Sequence, residues 1–237
     1  MKFDLEASRE SDASTTIGDR VARLRSRVEE AARASSRAPG DITILGVTKM
    51  QPRDAVVQAI AAGLAHVGEN YVQEARDKFV DLPPVEKHYI GHVQTNKAKL
   101  IAELFDVVQS VDRIEAGRAL AKASRAIGKP LRVLIQVNVS PYERFGVAPS
   151  DAPELADELR DDGLTVDGVM AIGPLEADLD ATERAFALAR STYSRVGGPT
   201  FSLGMSGDWE RAIAHGSTMI RIGTAIFGAR PQKGAAA

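Results

Sequence analysis

A lysine closing an apolar run, and two glycine-bearing turns far along the chain, are the residues here best suited to chemistry. Lys49 ends the run Ile42-Thr43-Ile44-Leu45-Gly46-Val47-Thr48 and precedes Met50-Gln51-Pro52. Lysine is almost never fully buried without a partner, so an amine at the tip of such a strand either reaches the rim or is placed to react. The turns read Gly204-Met205-Ser206-Gly207-Asp208 and Arg221-Ile222-Gly223-Thr224. Their glycines let the backbone approach an anion, Ser206 and Thr224 add hydroxyl donors, and helix starts at Asp208 and near Thr224 would aim N–H groups at it. Either turn alone reads as an ordinary capped strand-to-helix connection. Both together point to phosphate. A phosphate site and a lysine on one rim suggest pyridoxal 5'-phosphate, whose aldehyde condenses with an amine. Arg221 alternates with Ile220 and Ile222 and so faces inward or toward such a ring; spacing alone equally allows an ion-paired or surface arginine.

The elements that must position these residues alternate. A helix is expected over Asp19 to Ser36, with Val21, Leu24, Val28, Ala31 and Ala32 at helical spacing and its arginines interleaved with Glu29 and Glu30 on a solvated face. Strands follow to Lys49 and over 65–70, 87–92, 105–110, 132–139, 166–172, 200–205 and 219–222. Helical patterns lie between them at 53–62, 71–79, 96–104, up to 127, 152–161, 179–193 and 208–215, and Gly223 opens the closing segment. Strand after strand followed by helix predicts an α/β fold, a (β/α)₈ TIM barrel preceded by an extra N-terminal helix. Chemistry in a barrel sits where strands end, and the ends of strands seven and eight are its usual phosphate site. Those ends here are Lys49, Asn70, His92, Ser110, Asn138, Met170, Ser206 and Gly223-Thr224. Residues 1–16 are expected to be flexible, 17–230 to form one domain, and 231–237 to be a tail.

Composition removes other classes. The chain has 237 residues, 44% hydrophobic and 26% charged, enough for one large core. A net charge of −2 gives no reason to expect nucleic acid or an anionic membrane. There is no cysteine, which excludes disulfides, thiolate catalysis and cysteine-bound zinc and fits a cytoplasmic location. The N-terminus lacks the apolar core of a signal peptide, and no apolar run is long enough to span a bilayer. His88 and His92 are four apart on a strand, but with no carboxylate or cysteine at ligand spacing they read as packing residues; His66 and His215 read as isolated. No metal is expected.

Successive blocks of the chain are recognisable: Gly46-Val47-Thr48-Lys49, Gly68-Glu69-Asn70-Tyr71-Val72-Gln73-Glu74, Ile90-Gly91-His92-Val93-Gln94-Thr95-Asn96-Lys97, Leu134-Ile135-Gln136-Val137-Asn138, Gly204-Met205-Ser206, and the run from Gly216 to Gly228. From about Asp19 to Arg230, in chain order, the sequence resembles the YggS/PROSC family of pyridoxal-phosphate homeostasis proteins, which share the barrel of the alanine racemase N-terminal domain. The resemblance implies that Lys49 forms the internal aldimine, that Arg221 faces the pyridine nitrogen, that Ser206, Gly223 and Thr224 bind phosphate, and that Asn70 lies close to the cofactor. Departures from the family pattern are Met50, where a small or polar residue is usual, Lys87, where an aromatic often stands, and the 140–146 loop, which lacks a lysine that many members carry there.

The resemblance implies a non-catalytic protein that holds pyridoxal phosphate and supplies or buffers it to apo-enzymes, as a cytoplasmic monomer. The alternative is a pyridoxal-phosphate-dependent amino-acid racemase. Arginine can only donate hydrogen bonds, so it leaves the pyridine nitrogen unprotonated and weakens the ring as an electron sink. A racemase needs a base on each side of the α-carbon. In alanine racemase the second is a tyrosine from another domain, and this chain ends soon after its last barrel segment, so the carrier is expected. A cofactor-free aldolase would use Lys49 but leave Arg221 without a role.

Overall fold

The computed structural model describes residues 15–142, 144–174 and 178–228. The stretches expected to be a flexible N-terminus and a tail lie, but for Thr15 and Thr16, outside these residues. Helix α1 (Ile17–Ala34) begins at Thr16, whose hydroxyl accepts from Asp19 N–H while the Asp19 carboxylate accepts from Thr16 N–H. This reciprocal cap satisfies two donors that the first turn would leave bare. Its apolar stripe, Val21, Leu24, Val28 and Ala32, is buried. Strands β1 (Thr43–Val47), β2 (His66–Glu69), β3 (Glu86–Tyr89), β4 (Val107–Val111), β5 (Arg132–Val137), β6 (Thr165–Ala171), β7 (Thr200–Ser202) and β8 (Met219–Ile222) follow. Between them run α2 (Arg53–Ala61), α3 (Val72–Lys78), α4 (Ala98–Leu104), α5 (Ile114–Ile127), α6 (Ala152–Asp161), α7 (Leu179–Val196) and α8 (Trp209–Ala214), and α9 (Thr224–Phe227) comes last.

The strands pair in parallel in chain order and close through β8 onto β1, forming the expected (β/α)₈ barrel with one preceding helix. Every helix covers the outside. A Cβ on Gly46 would meet the side chains of Leu64 and Ile226, so its neighbour Leu45, opposite both His66 and Arg221, points inward. Extending that alternation assigns His88, Gln109, Ser202 and Met219 to the interior as well. Gly168 admits β7: at φ 141° its Cβ would lie 1.9 Å from the Thr200 carbonyl oxygen.

Some strands are shorter than their hydrophobic patterns. β7 stops at Ser202 rather than Met205 because Gly204 adopts φ 97° and turns the chain out of the ladder. β1 stops at Val47, although Thr48 N–H still bonds the Gly68 carbonyl; the turn comes at Met50, at φ 60°. β5 ends at Val137 because Asn138 N–H pairs with the Val147 carbonyl, folding the following loop back along the strand. In the other direction, α7 runs on to Val196 before Gly197 ends it.

Candidate functional site

Lys49 follows the C-terminal tip of β1, the strand that pairs with Arg221-bearing β8. Lys49 is half-buried, two residues past the strand. Its turn is held from behind by charge. Lys78 of α3 donates to the Thr48 carbonyl (2.7 Å), to Glu69 Oε2 (2.6 Å) and to Glu74 Oε2 (3.1 Å). Glu69 is fully buried and accepts from Thr48 Oγ1 at Oε2 and from Asn70 and Tyr71 N–H at Oε1. Glu74 also accepts Met50 N–H (2.9 Å), pinning the left-handed residue beside Lys49. One ion cluster thus fixes the tips of β1 and β2, and with them Lys49 and Asn70.

Arg221 is 5% exposed. Its Nη1 donates to Ser202 O and Oγ, each at 2.8 Å, and its Nη2 to Ala171 O at 2.8 Å. Burial pushes its pKa down to about 10, against the pull of Asp208, so it is a cation at neutral pH. A line of contacts continues below it. Ser202 Oγ donates to Gln109 Oε1 (2.7 Å), Gln109 Nε2 lies 2.9 Å from His88 Nδ1, and His88 Nε2 lies 2.8 Å from Glu86 Oε1. The barrel interior is therefore polar from end to end on this side.

Asn70 Oδ1 is buried without a hydrogen-bond partner, and so is His92 Nδ1, whose ring stacks on Phe145 at 4.1 Å. Gly91 lets the ends of β3 and β2 meet closely: a Cβ there would lie 2.0 Å from the Asn70 carbonyl oxygen. Arg221 N–H bonds the Gly204 carbonyl and joins the turn after β7 to β8. The Asp208 carboxylate accepts Met205 N–H (2.6 Å) and shapes the first turn. Ser206, Gly207, Thr224 and Ala225 face solvent there, and a Cβ on Gly207 would meet nothing within 4 Å. This set fits pyridoxal phosphate: an amine just past a strand tip, a buried cation, an orphaned amide oxygen, and a hydroxyl-bearing open turn pair.

Ser206 lies in the turn after β7, Gly223 and Thr224 follow β8, and Arg221 N–H of β8 bonds the Gly204 carbonyl of the first turn. Arg221 lies on β8, next to β1, and Lys49 and Asn70 come just after the ends of neighbouring β1 and β2. Sequence reasoning missed Lys78, Glu69 and Gln109. The spacing of Glu74 and Lys78, four apart on a helix, was a readable signal for the first; the interior phase of β4 was the signal for Gln109. His66 is not isolated, because the register of β2 and β3 sets it 3.2 Å from His88, and Glu86 supplies the carboxylate held to be missing. Nor is His215, which pairs with Glu183 at 2.6 Å. Among the described residues no helix is long and apolar enough to cross a membrane.

Residues 21–231 match the family described as alanine racemase, N-terminal domain. The pyridoxal phosphate homeostasis protein of Pseudomonas aeruginosa is 43% identical over 222 residues, 91% of this chain and 96% of that protein. That of Escherichia coli K12 is 40% identical over 228 residues, covering 90% and 97%. PipY of Synechococcus elongatus PCC7942, solved with PLP bound, superposes with a TM-score of 0.77 at 33% identity over 90% of this chain and all of that one. With identity spread along nearly the whole barrel, the chain belongs to the YggS/PROSC family of pyridoxal phosphate homeostasis proteins.

Proposed function

We propose that this protein binds pyridoxal 5'-phosphate at the mouth of its barrel, holds it reversibly through Lys49, and takes part in cofactor homeostasis by buffering it and passing it to apo-enzymes. The observation that carries this reading is the buried Arg221 guanidinium, fixed by three carbonyl and hydroxyl contacts on the strand next to the one whose tip leads into Lys49. Bound there, the cofactor supplies an aldehyde that condenses reversibly with a lysine amine. Arg221 would meet the ring nitrogen as a donor and keep it unprotonated, Asn70 Oδ1 would accept from the ring substituents, and Ser206, Gly223 and Thr224 would hold the phosphate. The cluster of Lys78, Glu69 and Glu74 keeps the Lys49 turn in place. The protein acts as a monomer in the cytoplasm.

Tyr89 is poorly suited to be the second base that the racemase reading needs. Tyr89 is buried, donates to the His92 carbonyl, and has its pKa raised to about 12 by burial first and by the Glu69 charge second. Tyr71 is 53% exposed. A phenol so hard to ionise is a poor proton acceptor at neutral pH. Mixing the loaded protein with an apo-enzyme should restore that enzyme's activity, while free alanine or serine of either hand is turned over negligibly. Robust racemisation abolished by Tyr71→Phe or Tyr89→Phe would overturn the carrier.

A further inference from the structure

We propose that His66, Glu86 and His88 form a binding site for a divalent late-transition cation of the zinc class, at the end of the barrel opposite the mouth. His66 and Glu86 are the first residues of β2 and β3, and His88 stands two further along β3, so all three side chains reach one point inside the strand starts. His66 Nδ1, Glu86 Oε1 and His88 Nε2 are 3.1, 2.8 and 3.2 Å apart in pairs. Four ligands at about 2.0–2.1 Å from a tetrahedral ion stand about 3.3–3.4 Å from one another, so relaxation of about half an ångström at the shortest edge, and less at the others, admits the ion.

Hydrogen bonding alone leaves this triangle incomplete. Both imidazoles can donate to Glu86 Oε1, but the 3.2 Å edge between the two nitrogens then joins donor to donor. A cation at the centre takes all three lone pairs together. The surroundings favour it. Arg132 holds the other Glu86 oxygen, Oε2, which leaves Oε1 directed at the imidazoles, and Asp167 lies 3.4 Å from Arg132. Two carboxylates against one guanidinium leave the locality net negative. Coordination through His88 Nε2 places the ring proton on Nδ1, where Gln109 would present its oxygen after an amide turn of the same shape; Ser202 Oγ then accepts from Gln109 instead of donating. His66 and Glu86 are each 28% exposed, so water can fill the open position and the ion can enter. Two imidazoles and one carboxylate suit zinc, cobalt or nickel better than magnesium or calcium.

The test uses the full, tag-free chain after chelator treatment. Zinc titrated by calorimetry should bind at one equivalent, and cobalt should give the visible absorption of a low-coordinate site. His66→Ala and Glu86→Gln should each weaken binding at least about tenfold, while His215→Ala leaves it unchanged. Imidazole nitrogen resonances of the unaltered chain should move for His66 and His88 on zinc addition and stay for His92 and His215, which decides the matter even if a variant folds poorly. Absence of binding, binding that survives in His66→Ala, or shifts confined to His92 or His215 would each overturn the site.

Discussion

At the scale of residues, the mouth divides its work between groups that are fixed and groups that are open. Arg221 is fixed by three acceptors, and Lys49 is set by a turn whose next residue is held at positive φ. Ser206 and Thr224 face solvent, as a phosphate would require. Ser206→Ala combined with Thr224→Ala should therefore weaken pyridoxal phosphate much more than pyridoxal, since each lost hydrogen bond to a charged group is worth about 1.5–3 kcal/mol. Equal weakening of both, read by fluorescence titration, would place the phosphate elsewhere. Tyr89 offers a pH test. Its folded pKa, raised to about 12, lies above the ordinary value of about 10, so its stabilising contribution is complete below about pH 10 and is lost as pH rises toward 12. Alkaline titration followed by phenolate absorbance should show one late-ionising tyrosine, and Tyr89→Phe should remove that last step. Early ionisation of every tyrosine would contradict the burial.

At the scale of elements, the strand tips are held by buried charge rather than by apolar packing. Lys78 is 7% exposed and Glu69 is fully buried, so removing one partner strands the other. Lys78→Met should destabilise the protein by about 3–5 kcal/mol in denaturant unfolding, and adding Glu69→Gln should recover part of that loss. A single variant that unfolds at the parent's midpoint would show that the cluster is not structural. This cluster was only half legible in the sequence. The helical spacing of Glu74 and Lys78 is plain, but Lys78 reads as solvated until α3 is laid on the barrel. The strand and helix order was legible because apolar runs and glycine stops alternate so regularly. Strand ends were not, because β1 and β7 stop at Val47 and Ser202, ahead of turns at Met50 and Gly204 that residue types alone do not mark. His66 and His88 could not be paired from spacing, since their approach depends on the register of two parallel strands.

At the scale of the whole molecule, the barrel carries a polar line from the strand starts to the mouth: Glu86, His88, Gln109, Ser202 and Arg221. A barrel interior is ordinarily filled by branched apolar side chains in layers, and Leu45, Leu134 and Met170 meet that expectation. Ser202, itself bonded to Gln109, orients Arg221 from below. The six blocks that carried the family resemblance cover strand ends and turns at the mouth, whereas the lower half of this line falls outside them. The proposal for the mouth is that Lys49 is the attachment point for pyridoxal phosphate. The most direct measurement is borohydride reduction of the loaded protein followed by peptide mapping. The account predicts a pyridoxyl group on Lys49 and no fixed label in Lys49→Ala; label on Lys97 or Lys99 instead, undiminished in that variant, would contradict it.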